Sequence, residues 1–299
     1  MFVIKYKKIF FVISLVLVLA SVGSLVFLGL DFGIDFTGGS IAEVRYVDEI
    51  VDQGTLKQVF DESNIGEYSL RRTGEKGYIL RTSALKEGDV NNLISIFSLN
   101  HTRQVEVDKV SSIGPVIGEE LKRKAYVAII TVIIAIILFI AYVFRNVSQR
   151  NEGDVSSWKY GLAAIIALIH DIIIPTGVFS VLSYMGIVQV DILFVSALLA
   201  ILGFSVNDTI VVFDRIRENL RLDSGKTSFE NIVGRSLSQT YTRSINTSLT
   251  VLFVLLTMFF LGGPSIHFFS LTLIVGIVAG TYSSIFLASP LLVSLAKRK

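Results

Sequence analysis

The sequence predicts a polytopic α-helical membrane protein, with six transmembrane helices and one extracytoplasmic ferredoxin-like α+β domain between the first and second helices. Three observations carry that prediction. Hydrophobic residues fill 52% of the 299 positions and charged residues only 17%, whereas soluble domains are about a quarter charged. Six stretches are long and apolar enough to cross a bilayer, which takes ~20 helical residues. One hydrophilic stretch, residues 31–124, interrupts them. The net charge of +2 gives no reason to expect nucleic acid, and the absence of cysteine removes disulfides and thiol chemistry.

The first span, residues 9–28, follows Lys5, Lys7 and Lys8 and so resembles a secretory signal. Its apolar run exceeds the ~7–15 residues of a signal core, and no small-residue cleavage site precedes Asp31. An uncleaved anchor occupying residues 1–30 is therefore expected. The hydrophilic domain, 31–124, reads as strand 41–47, helix 55–63, strands 68–73 and 77–82, helix 89–99 and strand 104–110. Val44 and Tyr46, Tyr78 and Leu80, and Val105 and Val107 alternate, while Leu56, Val59 and Phe60 recur at helical spacing. The order β-α-β-β-α-β is the split βαβ unit. The glycine-rich segment 33–40 lacks the lysine of a phosphate loop and reads as a tight connection into this domain. ATP hydrolysis is not expected, nor is any enzyme activity, bound metal or cofactor.

Residues 125–299 form a five-helix membrane domain with spans at 126–144, 160–184, 192–213, 242–261 and 268–295. The short loops on one side hold Arg145, Arg150, Lys159, Arg215, Arg217, Arg221, Lys226 and Arg235, and the tail adds Lys297 to Lys299. Loops 185–190 and 262–267 hold no lysine or arginine, so both termini are expected in the cytoplasm. Within 214–241, a capping box at Thr227–Glu230 precedes Phe229, Ile232, Val233 and Leu237 at helical spacing. That pattern predicts an amphipathic helix on the inner membrane surface, with Arg215 and Arg217 contacting lipid headgroups.

Chemistry concentrates at a few polar positions inside the spans. Asp208, beside Asn207 and Thr209, sits in an apolar run where an ionisable group costs roughly 2.5–3.5 kcal/mol. The fifth apolar run reaches spanning length only if it begins near Thr242, which draws Arg243 and Asn246 inside. Ser205, Asp208 and Thr209 share one helix face, as do Arg243, Asn246 and Thr247, and the two faces are expected to meet. Burial favours the protonated form of Asp208 and a guanidinium the ionised form, so a pair with Arg243 forms a proton-transfer site. A permanent clamp between two helices is the other reading. His170 and Asp171 lie mid-span before Pro175; His170 either joins a proton path or satisfies loose backbone groups. Gly276 and Gly280 head a small-residue stripe suited to close helix packing.

Five segments, 33–40 (GIDFTGGS), 114–121 (GPVIGEEL), 203–219 (GFSVNDTIVVFDRIREN), 239–250 (QTYTRSINTSLT) and 280–290 (GTYSSIFLASP), resemble the successive motif blocks of the SecF family. That resemblance implies the fold of resistance-nodulation-division transporters and a place in the bacterial cytoplasmic membrane. It implies SecD as a heteromeric partner beside the SecYEG channel, a translocating polypeptide as substrate, and the proton motive force as energy source. The family's proton-linked acid and base fall on Asp208 and Arg243. A proton-coupled small-molecule antiporter of the same superfamily is the alternative, and a cluster of Asn, Asp and Thr suits sodium as well as a proton.

Overall fold

A computed structural model describes residues 2–63, 68–83, 89–99, 102–144, 156–223 and 227–296. In chain order the elements are α1 (Phe2–Lys5), α2 (Lys7–Phe27), α3 (Ile34–Thr37), β1 (Gly39–Tyr46), α4 (Gln53–Glu62), β2 (Tyr68–Thr73), β3 (Gly77–Thr82), α5 (Asp89–Phe97) and β4 (Val105–Ile113). There follow α6 (Pro115–Phe144), α7 (Ser157–Tyr184), α8 (Ile192–Leu222), α9 (Phe229–Leu261), α10 (Pro264–Ser283), a π turn (Ser284–Ala288) and α11 (Ser289–Leu295). Six helical stretches are long and apolar enough to cross a membrane. Arg145, Arg150, Lys226 and the basic tail 297–299 lie outside the described residues.

The chain divides into two compact units, one of Phe32–Tyr126 and the other of Met1–Asp31 with Val127–Lys299. The smaller unit is a four-stranded antiparallel sheet of order β2-β3-β1-β4 with α4 and α5. Each β-α-β connection is split by a strand of the other, which is why all neighbours run antiparallel. Asp52 caps α4 by accepting from the Gly54 amide at 2.8 Å. Val44, Tyr46, Leu56, Phe60, Leu80 and Phe97 form the core. Two hydroxyls reach into it and are satisfied there: Tyr46 donates to the Phe97 carbonyl at 2.8 Å and Tyr78 to that of Val51 at 2.7 Å. The predicted alternation fails on β4, where Val107 is exposed, because that strand is the sheet edge and packs only Val105 against the core. At the entry to β1, Gly38 has φ +74°, and a Cβ there would lie 2.7 Å from Pro115 Cα. Only glycine fits that close approach.

In the larger unit Tyr160 stacks on Phe144 and meets Phe213 edge-on, with Ala163, Ala167, Leu202 and Val233 around them. Helices α2 and α7 cross so closely that a Cβ on Gly177 would lie 2.5 Å from Ser21 Cα. Serine hydroxyls stitch this crossing, Ser24 donating to the Gly177 carbonyl and Ser180 to that of Ser24, both at 3.0 Å. Gly276 plays a similar part toward α8, its missing Cβ being replaced by the Ile201 side chain.

Segment 214–241 differs from its sequence reading. No separate surface helix forms, since α8 runs on to Leu222 and α9 starts at Phe229. The N-cap is Ser228, which accepts from the Asn231 amide, while the Thr227 hydroxyl turns back to Asp223. Phe229, Val233 and Leu237 are drawn into the bundle core because the continuous helices pack as a hairpin. Asn219 pins that hairpin through Ser236 and Gln239, each at 2.8 Å. Arg215 binds Gln239 and Glu218, and Arg217 binds the Val143 carbonyl and Asp214. Their guanidinium groups therefore have protein partners.

Candidate functional site

Three spanning helices bring acids and hydroxyls together around the last one. Helix α7 supplies His170 and Asp171, α8 supplies Ser205 and Asp208, and α9 supplies Ser244 and Ser248. From the last span come Thr281, Ser283 and Ser284, where α10 gives way to the π turn. Both carboxylates are buried, Asp171 at 0% and Asp208 at 7% exposure. Each is caged by hydroxyls rather than by a cation. The Ser244 hydroxyl donates to Asp208 Oδ1 at 2.6 Å, and Ser284 donates to Oδ2. Asp171 Oδ1 lies 2.8 Å from His170 Nδ1, and Oδ2 accepts from Ser205 and, at 2.7 Å, from Ser283. Ser248 and Thr281 share a hydrogen bond of 2.6 Å and continue the polar seam between α9 and α10. The two carboxylates thus hold neighbouring residues of one helix, Ser283 and Ser284.

The small-residue stripe lets this happen. A Cβ on Gly280 would stand 3.3 Å from Ser205 Cβ and 3.6 Å from Asp171 Oδ2, so any larger residue would push α10 off the site. The π turn adds one residue to the helical repeat, and Ser289 donates to the Ser284 carbonyl at 3.1 Å, occupying an acceptor inside that turn. Such turns inside α-helices are frequent at functional sites.

Arg243 is placed differently from its sequence expectation. It is exposed, as are Asn246, Thr247 and Thr250, and no ion pair joins it to Asp208 among the described residues. The face of α9 that meets α8 and α10 is Thr240, Ser244 and Ser248, spaced by four. Neighbouring helical residues point about 100° apart, so turning Ser244 inward turns Arg243 outward. Thr209 is buried on the bundle side of α8, whereas Asn207 is exposed. Sequence reasoning missed Ser244 and treated Ser283 and Ser284 as packing residues. Their signal was the company of other small hydroxyl residues in an apolar run, which packing and hydrogen bonding use alike. Among the described residues no group of three or more His, Cys, Asp or Glu is placed to hold a metal ion. What the arrangement can do is hold charge in an apolar interior on partners that only donate.

Known proteins share this arrangement. Residues 95–298 match the family described as protein export membrane protein SecD/SecF, C-terminal, and residues 23–48 match the SecD/SecF GG motif. A protein translocase subunit SecF of Thermobaculum terrenum is 39% identical, covering 98% of this chain and 93% of that protein. One of Vibrio alginolyticus is 36% identical, covering 99% and 90%. The crystal structure of SecDF, a translocon-associated membrane protein from Thermus thermophilus, superposes with a TM-score of 0.82 at 32% identity over 97% of this chain. The chain spans only 38% of that larger protein.

Proposed function

The chain belongs to the SecD/SecF family of protein-export membrane proteins, and on that premise we propose that it couples an ion gradient to polypeptide export as the partner of SecD. It is a multi-pass membrane protein, and its part in export is that of an accessory subunit of the translocase. In the proposed cycle a proton from outside binds Asp208, the serine cage relaxes, the bundle repacks, and release to the cytoplasm resets it. The hydrophilic unit would lie outside, with both termini in the cytoplasm beside the SecYEG channel.

The observation that carries this reading is Asp208 itself, a carboxylate 7% exposed and held by two serine hydroxyls with no bound cation partner among the described residues. Ionised, it is held by donors alone; protonated, it must turn a hydrogen toward one of them. The second support is the polar stripe Arg243, Asn246, Thr247 and Thr250, exposed on a spanning helix. A guanidinium facing lipid is costly, so the stripe calls for a polar partner surface, which SecD would supply. There Arg243 would meet a carboxylate and influence Asp208 from the far side of α9. A proton crossing ~150 mV releases about 3.5 kcal/mol. That biases a two-state element but falls short of the roughly 5.5 kcal/mol needed to carry it from 1:99 to 99:1.

The test is secretory-precursor accumulation in cells whose only copy is Asp208→Asn, with membrane levels of this protein and SecD measured in parallel. Accumulated precursor at normal levels is the expected result. Normal processing would remove Asp208 from the coupling step.

A further inference from the structure

His170 is 2% exposed, and its Nε2 has no hydrogen-bond partner among the described residues. An unpaired polar atom in an apolar interior costs about 1–3 kcal/mol, so its persistence needs a reason. The other nitrogen explains how the ring is set. Nδ1 lies 2.8 Å from Asp171 Oδ1, and the carboxylate's second oxygen already accepts from Ser205 and Ser283. A carboxylate receiving two hydroxyl protons is held as an acceptor, so Nδ1 carries the ring hydrogen and Nε2 keeps a bare lone pair. A hydrogen-bonded carboxylate behind an imidazole orients the ring and stabilises the imidazolium that forms when the far nitrogen is protonated.

From this geometry we propose that His170 is a second proton-binding residue of the membrane unit, taking up a proton at Nε2 with Asp171 as its positioning residue. One N–H bond forms when a proton arrives from solvent, and the same bond breaks on release; no other bond changes. The site is distinct from Asp208 but joined to it. Ser283 holds Asp171 and the next residue, Ser284, holds Asp208, so a change at either carboxylate reaches the other through one peptide unit of the last helix. The use of this proton in transport rests on the export reading above, whereas its binding does not.

The surroundings leave few other titrating groups. Beside His170, α10 presents Tyr282, ring-stacked at 6.0 Å, with its hydroxyl donating to the Phe10 carbonyl at 2.9 Å. The only other titratable residue on α10 is His267, which bonds the Phe259 carbonyl. Before Asp214, α8 carries only Asp208, and α2 carries only Lys7 and Lys8 at its start. The π turn and α11 carry none.

The experiment uses the full chain with its SecD partner in nanodiscs, labelled with ¹⁵N-histidine. Besides His170 the sequence contains His101, which lies outside the described residues, and His267, so replacing both with Gln leaves His170 the sole reporter. At about pH 9 the expected spectrum has a protonated Nδ1 and a bare Nε2, giving way to imidazolium toward about pH 5. Asp171→Asn is expected to lower that midpoint and scramble the tautomer. A His170 that keeps one protonation state over this range, or a midpoint and tautomer unmoved by Asp171→Asn, overturns the proposal.

A second arm measures proton-driven export in inverted membrane vesicles over the same pH range. His170→Gln is expected to flatten the pH profile and slow export ~10–100-fold, the range for losing an orienting partner. An unchanged profile alongside an inactive Asp208→Asn defeats the role of His170 in coupling while leaving the export reading intact. Normal export by Asp208→Asn defeats that reading instead, and the histidine spectrum then decides proton binding alone.

Discussion

Two glycines in the membrane unit make close contacts of different kind, and substituting each with alanine separates backbone crowding from side-chain crowding. A Cβ on Gly177 would meet Ser21 Cα at 2.5 Å, where ordinary contact begins at 3.4 Å, so α2 and α7 must part by about 1 Å. A Cβ on Gly276 would meet only Ile201 side-chain atoms, the nearest at 2.2 Å. Overpacking of this size costs typically ~1–3 kcal/mol, and one or two of those kcal/mol shift a folding equilibrium by roughly 5–30-fold. Both single variants are expected to unfold at lower SDS fraction in mixed micelles, followed by circular dichroism. The partner substitutions then distinguish them. Ile201→Ala removes every atom in Gly276→Ala's way, so that pair is expected to be less destabilised than the sum, with coupling of at least ~1 kcal/mol. Ser21→Gly leaves its Cα in place, so it rescues Gly177→Ala only slightly. Full rescue by Ser21→Gly, or additive behaviour of Gly276→Ala with Ile201→Ala, would refute the assignment of these clashes.

Three further outcomes follow from the site and the outer unit. Ser244→Ala strips Asp208 Oδ1 of its 2.6 Å donor and is expected to destabilise the chain by ~1–3 kcal/mol; a shift in the same SDS titration below ~0.5 kcal/mol would contradict the cage. Arg243→Gln, on an exposed position, is expected to change the stability of the chain alone by no more than ~0.5 kcal/mol yet block precursor processing when SecD is present; a large loss of stability without SecD would place Arg243 inside the bundle. Burial pushes the Tyr46 hydroxyl far up and that of Tyr78 up as well. The folded unit therefore holds protons that the unfolded chain gives up near about pH 10, and its stability falls as pH rises beyond that value. Limited proteolysis of Phe32–Tyr126 in the intact chain is expected to accelerate between about pH 9 and pH 11, less steeply in Tyr46→Phe/Tyr78→Phe; equal steepness would argue against it.

How much of this was legible follows from the range of each signal. Run length and periodicity are local, so the six spans and the order of strands and helices in the outer unit could be read directly. Asp208 stood out because a charge in an apolar run is visible without knowing the fold. Its partners did not, since choosing Ser244 over Arg243 requires the rotation of α9 about its own axis, and adjacent residues differ there by about 100°. The hairpin of α8 and α9 was misread for a related reason. Phe229, Ile232, Val233 and Leu237 form an apolar face, and lipid or a protein core satisfies such a face equally well. The crossing of Gly177 on Ser21 carried no pattern beyond two small residues far apart in sequence. Nothing local marks the π turn, because its extra residue is defined only by hydrogen bonds made around it.

That extra residue sets the phase of the chain's last helix. Everything after Ala288 is advanced by one position, about 100° of rotation, relative to an uninterrupted α-helix, and in that phase Pro290 and Leu292 face inward. Deleting a single residue between 284 and 288 would let the helix close into a regular repeat and present α11 to the bundle by the wrong side. Ser284 would lose its aim at Asp208 in the same stroke. No exchange of one side chain for another can repair such an error, because what has changed is the count of residues. This end of the chain is thus more vulnerable to a one-residue change of length than to most changes of composition.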